Sequence, residues 1–277
     1  IYWLGGAKGD TIENCTFTKN DAGFGGAIRW LNQAGIVASG LIKNCTFDAN
    51  YGFKGSAISW ASSNSALITQ CTFVNNYAYK NGCIYAGTNG QGASGVGFNI
   101  SDCDFRNNSA DFCGGDIANA MAYAVIKNCN FTDSLAGYGG SIVLRESSPK
   151  GTQIINCTFI NTTSAIGEHN DNKLHGGGAI YLQQNYEDIK IINVTIINST
   201  SITDGGAIKW VGDKGTLENV TIINATAKGE TVKNSKGQVI VSGQGNGGAI
   251  HWTGKNGNFY NVTIVNASSV ANGGGVY

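Results

Sequence analysis

One unit returns along the whole chain, and that repetition limits the fold more than any other feature. It reads Thr11-Ile12-Glu13-Asn14-Cys15-Thr16-Phe17, a short polar stretch, then Gly25-Gly26-Ala27-Ile28-Arg29-Trp30. It comes back as Ile42-Lys43-Asn44-Cys45-Thr46-Phe47 with Gly55-Ser56-Ala57-Ile58-Ser59-Trp60. Near the end it is Phe259-Tyr260-Asn261-Val262-Thr263-Ile264 with Gly274-Gly275-Val276-Tyr277. Anchored on its cysteine, the unit occurs nine times, at Cys15, Cys45, Cys71, Cys103, Cys129, Cys157, Val194, Val220 and Val262. The spacings are 30, 26, 32, 26, 28, 37, 26 and 42 residues. The shortest reads as the basic turn, and the longer ones carry insertions, mainly at 162–176 and 226–246. Nine units fill residues 1–277, so the chain reads as a single domain.

The unit is built of strands. With 41 Gly and 32 Asn among 277 residues, helix propensity is poor throughout. Cys15-Thr16-Phe17 and Ile28-Arg29-Trp30 both alternate with the period of a half-buried strand, and a Gly-Gly pair ahead of the second permits a positive-φ corner. Columns that stay in register from copy to copy cannot arise from stacked hairpins. Coiling the chain once per unit resolves this, because each strand then pairs in parallel with its equivalent in the next coil. The expected fold is therefore all-β, a right-handed parallel β-helix of about nine coils, and a rod of about 40–45 Å. Three apolar files should line its interior: one from Ile12 to Phe259, one from Phe17 to Ile264, one from Ile28 to Val276. Trp30, Trp60, Trp210 and Trp252 share a packing column. Asn14, Asn44, Asn128, Asn156, Asn193, Asn219 and Asn261 fill a corner position, with Gln70 and Asp102 as exceptions. Stacked amides there should hydrogen-bond from coil to coil.

Charge and cysteine usage narrow the function. Eighteen basic and eighteen acidic residues give a formal net charge of zero, which excludes the field a nucleic-acid binder relies on. No apolar run is long enough to span a membrane as a helix. Six of the eight cysteines occupy one column where Val replaces them in the last three coils. The column therefore asks for a small apolar side chain, and free buried thiols are expected. Cys83 and Cys113 lie off that column, where a mutual bridge has no geometric support. No metal or cofactor motif is present.

The residues that could carry chemistry are few. Asp102, Asp104 and Asp116 fall in one coil, the only hint of the carboxylate grouping that glycoside chemistry or calcium binding would need, and tolerated substitution is the competing reading. His169 and His175 belong to the inserted loop and His251 to an outward column. Phe24, Phe53, Tyr79, Phe112 and Tyr138 precede the Gly corner in five successive coils. Such a row of rings either stacks against sugars or covers itself along the corner. Ile160, Ile197, Ile223 and Val265 should face outward as an apolar stripe, covered by one or both long insertions or else open as a lateral contact surface. Asn161, Asn198, Asn224 and Asn266 each open an N-x-S/T triplet, and several should stack in the wall.

The pairing Phe-x-x-Asn (Phe17 to Asn20, Phe47 to Asn50, Phe73 to Asn76, Phe105 to Asn108) followed by Gly-Gly-Ala-Ile resembles the repeats of chlamydial polymorphic outer membrane proteins. With its Asn-Cys-Thr-Phe opening, the unit is more similar still to the adhesin-like surface proteins of methanogenic archaea. Later coils lose the Phe and carry the Asn one place earlier, at Asn161, Asn198, Asn224 and Asn266. The resemblance implies a secreted, extracellular, cell-surface β-helix that mediates attachment to host or neighbouring cells or to their glycans, with no catalytic residues. Both ends cut the repeat at nearly the same phase without a polar cap, so a piece of a longer array or a rod that stacks end to end is expected. The expected function is a non-enzymatic adhesin. A polysaccharide lyase or hydrolase module and a structural filament subunit are the alternatives.

Overall fold

The computed structural model describes residues 1–5, 8–32, 39–61, 66–87, 97–145, 150–165, 176–183, 186–233 and 237–277. Among them every regular element is a strand, and all but one two-stranded antiparallel hairpin form three parallel walls around one main core. The first wall is a nine-stranded sheet running from Tyr2–Gly5 and Ile28–Asn32 to Ile250–Trp252. The second has fifteen strands, because most coils cross it twice, as Lys8–Glu13 and then Thr16–Thr18 in the first coil. The third has nine, from Asp21–Phe24 to Ser268–Ser269. This is a parallel β-helix.

The expected files superpose rung on rung. Ile12 pairs with Ile42 and Ile42 with Ile68, and the file ends with Leu217 beside Phe259. The ladder from Ile28 to Ile58 closes with Ile250 beside Val276. From Phe17 to Phe159 the rings stack with centroids 5.0, 4.8, 4.7, 4.8 and 4.6 Å apart. Trp3, Trp30 and Trp60 stack at 5.0 and 4.7 Å at one end of the rod, and Trp210 on Trp252 at 4.3 Å at the other. Between the two groups the column holds Ala86, Asn119, Leu144 and Leu182. Where Val replaces Cys, the two passes of the second wall fuse into the eight-residue strands Lys190–Ile197, Thr216–Ile223 and Asn258–Val265. A β-branched residue stiffens that junction toward extended backbone.

The corners explain the Gly and Asn excess. Gly25, Gly55, Gly82, Gly114, Gly139 and their equivalents take φ of 45 to 71° between the third and first walls. A Cβ on the following Gly26 would strike the carbonyl oxygens of Ser56 and Tyr51 in the next coil. Asn14, Asn44, Gln70, Asp102 and Asn128 all sit at φ of 48 to 57°. Their amides link coil to coil: Asn44 Nδ2 to Asn14 Oδ1 at 2.6 Å, Asn128 to Asp102 at 2.9 Å, Asn156 to Asn128 at 3.2 Å, Asn219 to Asn193 at 3.0 Å.

The apparent shift of the Asn in later coils needs correction, because it involves two different columns. Asn20, Asn50, Asn76 and Asn108 form an internal ladder in which each amide is bonded to its neighbour's Oδ1 at 2.9 to 3.0 Å. That internal column continues as Ser134, Thr162 and Ser199, all buried. Asn161, Asn198, Asn224 and Asn266 belong to an outer corner already begun by Asn75 and Asn107, and they are linked in turn at 3.1, 3.0 and 3.3 Å.

Candidate functional site

Strands of the third wall alternate small and aromatic residues at Tyr51-Gly52-Phe53 and Tyr77-Ala78-Tyr79. Gly52 and Ala78 turn inward, so the rings stand on the outer face. Parallel register then brings Tyr51 to Tyr77 with centroids 5.5 Å apart, and Phe53 to Tyr79 at 5.1 Å with ring planes 17° apart. Phe24 meets Phe53 edge-on at 6.4 Å, and Phe112 continues from Tyr79 at 5.7 Å. The five rings singled out by sequence therefore form a file, but the file is not uniformly open. Phe53 is 39% exposed, whereas Phe112 and Tyr138 keep only 8% and 4%.

The Gly corner causes this gradient. Outward residues of the first wall meet outward rings of the third across it. In the middle coils Tyr85, Val143 and Tyr181 fill the angle and bury Phe112 and Tyr138. At the equivalent place one coil before Tyr85 stands Ser59, a far smaller side chain. Phe112 and Tyr138, offered as ligand-binding rings if the row lay open, thus follow the other reading of the row and are packing residues. Phe24, Phe53 and Tyr79 remain accessible, joined by Tyr51 at 42% exposure and by Tyr77. The latter two were missed, although their place two residues before Phe53 and Tyr79 puts them on the same face.

Cations edge this platform. The Arg29 guanidinium lies 4.5 Å from the Phe24 centroid and 5.9 Å from that of Tyr2. Lys54 Nζ sits 5.1 Å from the Tyr85 centroid, and Lys80 Nζ 5.9 Å from those of both Phe53 and Phe112. Ile1, Tyr2, Asp21, Phe24 and Arg29 line a cavity of about 410 Å³ at one end of the strip.

The three aspartates do not converge. Asp102 is exposed and accepts from Asn128, a bond that holds its carboxyl below the usual range. Asp104 accepts from Asn130 at 3.0 Å and pairs with Arg106 at 2.9 Å, and it too is lowered, first by Asn130. These two line a polar hollow at the Asn corner. Asp116 lies inside the rod, fully buried, where desolvation pushes its carboxyl up to about 7 against the lowering effect of Ser134, Asn108 and Ser141. A buried acid separated from two ionised surface carboxylates is not an acid–base pair.

His169 and His175 lie outside the described residues. His251 Nδ1 stands 3.7 Å from Asp204, which also pairs with Lys209 at 3.1 Å. Burial raises the Asp204 carboxyl, but His251 and Lys209 outweigh it and hold it well below the usual range. Among the described residues no group of three or more His, Cys, Asp or Glu could hold a metal ion. All eight cysteines are free, and only Cys15 is not fully buried. Cys83 belongs to the main core and Cys113 to the aromatic cluster outside it, so they do not bridge. Cys113 Sγ instead receives a bond from Arg145 at 2.8 Å.

The outward stripe of Ile160, Ile197 and Ile223 is half-buried, and Val265 is 44% exposed. The described residues of the second insertion attach to the third wall, not to the second wall that carries the stripe. That insertion forms the antiparallel hairpin Thr231–Lys233 and Val239–Ser242, tied to the third wall by Glu230 N to Ile202 O at 2.7 Å and by Lys228 N to Ser201 O at 2.9 Å. Most of the first insertion, residues 166–175, lies outside the described residues.

No protein-family model, no curated protein and no solved structure matches the chain. The parallel β-helix with its in-register repeat is what the structure shares with β-helix repeat proteins.

Proposed function

We propose that the chain is a non-enzymatic, cell-surface attachment rod that grips glycans or glycan-coated cells through the aromatic strip at its Gly corner. The observation that carries this reading is the platform of Phe24, Tyr51, Phe53, Tyr77 and Tyr79, which lies open on a rigid wall while equivalent rings further along are packed away. Exposed aromatic area of this size is unfavourable in water unless a partner covers it. The packed walls hold the rings in place before any ligand arrives, so little ordering entropy is lost on contact. An extracellular location is consistent with seven buried thiols, which oxidants in solution reach poorly. Glycan and whole-cell binding by the isolated rod, compared with Phe53→Ala and Tyr79→Ala, tests the reading. Each variant should weaken binding about tenfold or more, a loss typical of truncated interface anchors. Undiminished binding by both would place the contact elsewhere.

A second reading concerns self-association. Ile160, Ile197 and Ile223, half-buried, and Val265, exposed, form an apolar stripe on four consecutive rungs of the second wall, and this favours lateral contact between rods. Sedimentation of Ile197→Lys against the unaltered chain tests it; an identical concentration dependence for the two would remove the stripe from consideration.

A further inference from the structure

Resting on the attachment reading, we propose that the strip selects linear acidic polysaccharides, with sugar carboxylates meeting the cations along its edge. Arg29, Lys54 and Lys80 belong to consecutive coils, and each is laid against a ring rather than extended into solvent. Among the described residues none of the three lies within ion-pair distance of a carboxylate. Arg29 Nε is moreover buried without a hydrogen-bond partner. In a chain of zero net charge, three unneutralised cations on one aromatic strip form a local positive feature. The carboxylates nearby are Asp21, which lines the cavity beside Arg29, and Asp111, which is buried.

Ring orientation points the same way. Phe53 and Tyr79 stack along the rod axis, so they turn edges more than faces outward. The edge of an aromatic ring is the positive side of its quadrupole, and it favours an anion. Cations already lie against the Phe24 and Phe53 rings, so those faces are not free for a nucleobase, which needs a parallel one. A uronate sugar can set its carboxylate between those ring edges and the flanking ammonium or guanidinium. Rungs repeat every ~4.8 Å, so the ligand must be extended and periodic.

The test is titration of the full chain with polygalacturonate, with its fully methyl-esterified neutral form, and with single-stranded DNA of comparable charge, at low and high salt. The acidic polysaccharide should bind, and raising the salt should weaken it. The ester and the DNA should each bind at least about tenfold more weakly, a difference of about 1.4 kcal/mol. A Lys54→Gln, Lys80→Gln double variant should lose about tenfold toward polygalacturonate, whereas Lys43→Gln on the second wall should not. Equal binding of acid and ester, or an unaffected double variant, overturns charge selection while leaving glycan attachment standing. Equal binding of DNA overturns the choice of polysaccharide. Failure to bind any glycan, together with insensitivity to Phe53→Ala, removes the attachment reading itself.

Discussion

Asp116 is the residue on which the rod's pH dependence turns. It ends the internal amide ladder by accepting from Asn108 Nδ2 at 2.9 Å, with the hydroxyls of Ser134 and Ser141 beside it in the core. Its carboxyl rises from 3.8 to about 7, chiefly by desolvation. Because the folded value lies above the unfolded one, the protonated form supports the fold. That contribution is complete below pH ~4 and is lost as pH climbs through ~7, and it amounts to at most about 4 kcal/mol. Denaturant unfolding between pH 4 and 8 should therefore show stability falling as pH rises. Asp116→Asn keeps an oxygen for Asn108 and should flatten the slope, and an unchanged slope in that variant would assign it to another group.

At the scale of the element, the two kinds of asparagine ladder differ in what they hold. The outer ones sit in solvent at left-handed corners, where Asn is chosen for backbone tolerance and its amide bonds compete with water. The inner one is sealed. Asn76 Oδ1 accepts both the backbone and the side-chain N–H of Asn50, and its Nδ2 donates to Phe47 O and Asn108 Oδ1, all near 3.0 Å. Asn76→Ala leaves several buried groups unanswered and should cost about 3 kcal/mol or more, whereas Asn44→Ala at the exposed corner should cost about 1 kcal/mol. Urea unfolding of the two variants distinguishes these cases, and equal losses would contradict the distinction.

Across the whole molecule, each coil touches its neighbours alone, so stability should pass from rung to rung and no further. Phe105 stacks between Phe73 and Phe131 at 4.7 and 4.8 Å and is fully buried. Phe105→Ala should cost about 4 kcal/mol. Hydrogen exchange should accelerate in the coils of Phe73 and Phe131 while the coil of Ile222 keeps its protection. Uniform acceleration along the chain would mean that the rod unfolds as one unit.

The repeat already specified the solenoid, its three interior files and its exposed amide corner, because in a parallel coil identical side chains stack by register and no distant contact needs to be known. Phe17, Ile28 and Asn14 could each be placed from their copies. What no single copy could reveal was the depth of the Gly corner. Whether a ring there lies open or covered depends on what reaches it from another wall, as Tyr181 reaches Tyr138 with centroids 5.8 Å apart, and sequence spacing does not pair those positions. The same holds for the aspartates: Asp104 and Asp116 share a coil, yet Asp104 stands on the outer face of the second wall while Asp116 turns into the core at the Gly corner. Only the closed tertiary winding decides which wall faces which, and so where the strip stays open.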